Sequence, residues 1–120
     1  MTPRRRWMVW LLAAWVSAGR AETPAAERAR IERLLDALAS RQDLRFVRNG
    51  KDYTAAQGAD FLRGKWHWQI EKVTTAQDFI AVIGTRSNTS GDVYLVRLAD
   101  GRTLPCAQFL AQELRRIEKR

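Results

Sequence analysis

Apolar residues recur at Ile31, Leu34, Leu35 and Leu38. This i, i+3, i+4, i+7 spacing puts them on one face of a helix. Arg28, Arg30, Glu32, Arg33 and Asp36 fall on the other faces, and the pattern predicts a helix from about Ala25 to Ala39. The period then shortens to two. Leu44 and Phe46 share one side, with Arg45 opposite. Asn49-Gly50 separates this run from Lys51-Asp52-Tyr53 and predicts a hairpin, because both turn residues tolerate the positive φ of a type I′ turn. Thr54 is placed to cap a second helix, whose buried stripe is Ala55, Ala59, Leu62 and Trp66, widened by Phe61. Gly58 and Gly64 weaken that helix, and Gly58 implies close packing. Trp66 to Ile70 fits either the helix end or a connector.

Thr75, with Asp78 three residues on, predicts a capped third helix. Phe79, Ile80 and Ile83 form its apolar side, and Gly84 can stop it. Thr85 to Asp92 is small or polar throughout and is expected to be a loop. Val93 to Leu98 is expected to be a strand, turning at Asp100-Gly101 into Thr103-Leu104. Pro105 suits the first position of a last helix. The stripe of that helix is Cys106, Phe109, Leu110, Leu114 and Ile117, with Arg115, Arg116, Lys119 and Arg120 at its C-terminal end. Four helices and two short hairpins make a single small α+β domain.

The start of the chain follows a different pattern. Arg4, Arg5 and Arg6 precede an uncharged run, Trp7 to Ala18, and then Gly19-Arg20-Ala21. A basic start, a short apolar stretch and a small-x-small end predict a signal peptide over residues 1–21, cut after Ala21, with Ala18 as the alternative. The apolar run is shorter than the ~20 residues a membrane-spanning helix needs. No cysteine follows it to suggest a lipoprotein, and the arginines match twin-arginine export only in part. The expected location is the periplasm, with residues 22–120 as the exported domain.

Export alters the meaning of the charge. Lys and Arg total 21 and Asp and Glu total 13, a net charge of +8. Four of those arginines (Arg4, Arg5, Arg6 and Arg20) lie in the leader, which leaves the domain at +4. The remaining basic residues form no run or nucleic-acid motif, and three of the five tryptophans are in the leader, so a nucleic-acid binder is not expected. One cysteine and one histidine exclude an internal disulfide framework and the multi-cysteine or two-histidine metal motifs. No metal or cofactor is expected.

Several phrases occur together in order: Ile31-Glu32-Arg33-Leu34-Leu35, Phe46-Val47-Arg48-Asn49-Gly50-Lys51-Asp52-Tyr53, Phe61-Leu62-Arg63-Gly64-Lys65, Thr75-Ala76-Gln77-Asp78-Phe79-Ile80, and Ser87 to Arg97 followed by Asp100-Gly101-Arg102. In combination they resemble the YfeK-like family of small exported bacterial proteins, a domain of unknown function. The resemblance spans nearly the whole exported domain. It implies a Gram-negative periplasmic location and carries no activity with it. A His of that family's pattern is replaced here by Phe61, which implies that such a His is not indispensable. An apolar residue near Cys106 in that pattern implies a packing role for the thiol.

The candidate site is the Ser87–Asp92 loop. Hydroxyls and free backbone N–H groups near a glycine can cradle an anion. Ser87, Ser90 and Gly91 would form the cradle, with Arg48, Lys65 and Arg86 supplying charge, and Lys51 and Arg63 as further cations. A hydrogen-bonded turn is the simpler reading of the same residues. Cys106 could be a nucleophile at a helix N-terminus, an intermolecular disulfide partner or a packed apolar group, and the helical stripe favours packing. Catalytic residues are not assigned: there is no Gly-x-Ser-x-Gly elbow, and His67 stands between two tryptophans. The expectation is a non-enzymatic module for a protein partner or an anionic envelope component. The alternative is a small envelope hydrolase using Ser87 or Ser90.

Overall fold

The computed structural model describes residues 23–119. The expected leader and its cut after Ala21 lie outside the described residues. Helix α1, Ala25–Ala39, buries Ile31, Leu34, Leu35 and Leu38, the stripe its spacing predicts. Strands β1, Arg45–Arg48, and β2, Lys51–Thr54, form the first hairpin. Asn49 and Gly50 turn it at φ 52° and 77°, the left-handed values a type I′ turn requires.

Helix α2, Ala55–Trp68, starts with a complete capping box: Gln57 N–H donates to the Thr54 hydroxyl, and Thr54 N–H donates to the Gln57 side chain. It buries Ala55, Gly58, Ala59, Leu62 and Trp66. The ambiguous Trp66–Ile70 segment divides, with the helix continuing to Trp68 and a 3-10 turn following at Ile70–Lys72. Helix α3, Ala76–Asp78, is capped by Thr75 and Asp78 as expected, then widens into a π-helical turn, Phe79–Ile83. Gly84 N–H closes that turn on both the Phe79 and Ile80 carbonyls, and Phe79 and Ile83 are fully buried.

The second hairpin is shorter than its apolar pattern suggests. Strand β3 is Leu95–Arg97, and β4 is Thr103–Pro105. Val93 pairs only with Arg86, in an isolated bridge made by Tyr94 N–H donating to Thr85 O and Ser87 N–H donating to Asp92 O, and Leu98 N–H donating to Arg102 O closes the hairpin beside the Arg97–Thr103 pair. Pro105 is extended (φ −58°, ψ 136°) and ends β4, so helix α4 begins one residue later, at Cys106–Glu118. The hairpins join through β1 and β3 into one antiparallel sheet, ordered β2-β1-β3-β4.

The row Tyr53–Phe46–Val96–Leu104 across that sheet packs into the core with the four helices. The neighbouring row, with Arg45, Arg97 and Thr103, faces away. Gly58 lets α2 lie directly on β1: a Cβ there would stand 2.6 Å from the Cβ of Phe46. Thr23, the first described residue, is tied to the core, its hydroxyl donating to Val73 O and accepting from the Trp66 indole. Cys106 is fully buried, and burial pushes its thiol up to about 12, so the packing reading of this residue holds. The domain is α+β, with four helices and two linked hairpins.

Candidate functional site

A cleft of about 770 Å³ opens between the C-terminal half of α2, the 3-10 turn and the loop after the π turn. Its size suits a small ligand. Phe61, Gly64 and Trp68 are its α2 wall, spaced i, i+3, i+7 on one helix face. Tyr94 and Phe61 meet edge to face at 5.8 Å, and both pack on Phe46. Trp68 at the rim is 87% exposed, although Trp66 two residues earlier is buried.

Of the residues expected to bind an anion, the structure brings Arg48, Lys65 and Ser87 to this cleft. Arg86, Ser90 and Gly91 are not among its lining residues. Lys65 contributes structure first. Its ammonium donates to Ile83 O (3.1 Å), Arg86 O (2.8 Å) and Tyr94 OH (3.1 Å), which occupies all three of its donors. Burial, and then the charge of Arg48, holds its pKa below the ordinary lysine value. Burial likewise raises the Tyr94 phenol.

The loop itself is closed by its own hydrogen bonds. The Ser87 hydroxyl is shared with Thr89 Oγ1 at 3.0 Å and accepts from the N–H groups of Thr89 and Ser90. Gly91, at φ 78°, donates to Ser87 O, and Asp92 N–H donates to the Ser90 hydroxyl. Ser90 donates in turn to Asn49 Oδ1 at 2.7 Å, tying the loop to the first hairpin. The amides of Ser87, Thr89, Ser90, Gly91 and Asp92 therefore already have partners. His67 is exposed on α2 and does not line the cleft, and the hydrogen bonds of Ser87 and Ser90 involve no histidine or carboxylate.

Arg48 is the different case. Its guanidinium lies 4.4 Å from the centre of the Phe61 ring and separates the cleft from a smaller pocket of about 250 Å³ bounded by Phe46 and Tyr53. Among the described residues no carboxylate pairs with it, and its Nε is buried without a hydrogen-bond partner. A buried cationic donor left unpaired is costly, and so it marks a place where another group can be accepted. Lys72, on the 3-10 turn, adds a second rim cation. Sequence reasoning found Arg48 and allowed for an exposed Trp66 or Trp68 beside basic residues, but did not join Phe61, Gly64, Trp68 and Tyr94 into one wall. The available signal was Trp68, a large apolar residue outside the buried register of α2.

Residues 25–118 match a family of unknown function (DUF5329), and the chain belongs to that family. It is 36% identical over 83 residues to the uncharacterised protein YfeK of Salmonella typhimurium strain LT2. That alignment covers 69% of this chain and 65% of the relative. The chain thus spans just under two thirds of the relative's length. No solved structure matches the chain. Among the described residues no helix is long and apolar enough to cross a membrane, and no three metal-ligating side chains cluster.

Proposed function

We propose that this protein is an exported, periplasmic binding module that uses the aromatic cleft to hold an anionic envelope component or an acidic segment of a partner protein. The observation that carries the reading is Trp68, 87% exposed on a cleft that also contains Arg48, whose Nε has no hydrogen-bond partner. Tryptophan and arginine are the side chains that most often concentrate binding energy. The leader-like residues 1–21 support export.

An envelope hydrolase using Ser87 or Ser90 has less support. Both hydroxyls are spent on holding the loop, and a nucleophile needs a base within about 3 Å of its proton.

Photocrosslinking from Gln69, at the cleft rim, tests the binding reading in cells that express the full chain. A discrete adduct, reduced at least fivefold by Trp68→Ala and by Arg48→Gln, supports it. An adduct pattern unchanged by both substitutions, or no adduct at all, overturns it. Osmotic-shock fractionation tests export, which fails if the protein stays with the cytoplasmic fraction.

A further inference from the structure

The cleft has a notch whose shape says more about its occupant. Gly64 lies in the interior of α2, where glycine is less favourable than alanine. Nothing in the fold requires glycine there: φ is not positive, and an added Cβ would meet no atom within 4 Å. Its effect is to remove one side chain from the wall between Phe61, one turn before it, and Trp68, one turn after. A flat ring can lie against the bare helix backbone at that notch, with the exposed indole face beside it.

The surroundings then define what the ring must carry. Arg48 offers charge and an unpaired Nε. The rim presents amide and hydroxyl groups from Gln69, Asn88 and Thr89, together with the carboxylates of Asp60 and Glu71. Such a rim is suited to several hydroxyl groups. A bare aryl acid would leave those polar groups unmatched and would meet Glu71 without a hydroxyl to donate to it.

Resting on the binding reading above, we propose that the Gly64 notch is a stacking subsite for a sugar ring bearing an acidic substituent, carboxylate or phosphate. The ring lies beside Trp68, and Arg48 receives the acid. Arg48 leaves its Phe61 stack far enough to give Nε a partner, so the ligand supplies the hydrogen bond the free protein lacks.

Two-dimensional NMR of the purified exported chain, following the Trp68 indole N–H with buried Trp66 as internal reference, tests this with four probes: glucuronate, glucose 6-phosphate, glucose and benzoate. One or both acidic sugars should shift Trp68 and saturate at least tenfold more tightly than glucose and benzoate, and whichever is favoured identifies the acid. Arg48→Gln should bring the acidic sugars to within twofold of glucose. Gly64→Phe should abolish the Trp68 shift while leaving the Trp66 resonance in place and without lowering the melting temperature. Equal binding of glucose and glucuronate, equal binding of benzoate, or an Arg48→Gln variant that keeps the preference for acid would each overturn the inference. No saturable binding of any probe would also overturn it, and if the crosslink from Gln69 survived, the binding reading would stand with a different occupant.

Discussion

Two glycines on the same helix make opposite predictions from the same substitution. At Gly58 an alanine Cβ would lie 2.6 Å from both Cβ and Cγ of Phe46, against the 3.4–4 Å of ordinary contact. The obstacle is not the tip of a flexible side chain. Phe46 is 1% exposed, its ring is held between Phe61 and Tyr94, and its Cβ is fixed to β1, which is paired on both sides. Relief requires α2 and the sheet to separate. Overpacking of this kind costs about 1–3 kcal/mol, and the upper half of that range applies because backbone must move. The better helix propensity of alanine returns about 1 kcal/mol, so Gly58→Ala should destabilise by about 1–2 kcal/mol. Gly64→Ala meets no neighbour and should stabilise by about 0.5–1 kcal/mol. Urea unfolding followed by circular dichroism, with unchanged m-values, measures both. In a domain of this size each kcal/mol should appear as about 4–8 °C in Tm. A Gly58→Ala protein as stable as wild type, or two variants that shift in the same direction, would refute the close approach of α2 to β1. No replacement at position 46 other than glycine should rescue Gly58→Ala, since every other residue carries the offending Cβ.

Thr23→Val keeps the shape of the buried side chain but strands the Trp66 indole N–H and the Val73 carbonyl. It should cost about 1–3 kcal/mol in chemical denaturation, and a loss below about 0.5 kcal/mol, within the usual range of surface substitutions, would show that the hydroxyl is not the anchor. The Glu27 carboxyl is held below its ordinary 4.5, first by the Ala76 N–H and then by Arg30. Because the folded value is depressed, its contribution is fully present above the unfolded value and is lost as pH falls through the folded one. The stability gap between wild type and Glu27→Gln should therefore be greatest near neutrality and close below 4.5, and a pH-independent gap would contradict the assignment. The Cys106 thiol, buried and raised to about 12, should react with a thiol reagent at least roughly a thousandfold more slowly in the native protein than in denaturant. Rapid native labelling, or a disulfide-linked dimer under mild oxidation, would show that the last helix does not seal it.

The elements were legible where one local rule sufficed. The stripe Ile31–Leu34–Leu35–Leu38, the Asn49-Gly50 turn, and the caps at Thr54 and Thr75 all depend on residues within one or two turns of each other, and all appear where spacing and turn chemistry put them. Even the close contact at Gly58 was foreshadowed, because glycine in a helix interior needs a reason. The boundaries were lost where a distant partner took a backbone group. Val93 and Tyr94 carry the pattern of a strand, yet the Tyr94 N–H goes to Thr85 O in the bridge between Val93 and Arg86, so this stretch pairs with the segment before the loop and β3 starts at Leu95. The π turn at Phe79–Ile83 has no local signature, since an apolar pair spaced by four suits an α-helix equally well.

The site divides in the same way. By itself the sequence determined the α+β elements, the lone buried-stripe cysteine, the leader-like start and a short inventory of cations and hydroxyls. Tertiary structure alone decided which of them are free. Lys65, Ser87 and Ser90 look like ligand groups along the chain, but their donors and acceptors are spent on carbonyls, amides and Asn49 brought from elsewhere. Arg48 is one of several candidate cations in the sequence, yet among the buried side-chain polar atoms of the described residues its Nε alone has no partner. Periodicity records which face a residue occupies. Each polar group has a limited capacity for hydrogen bonds, and which group fills it depends on contacts between segments dozens of residues apart.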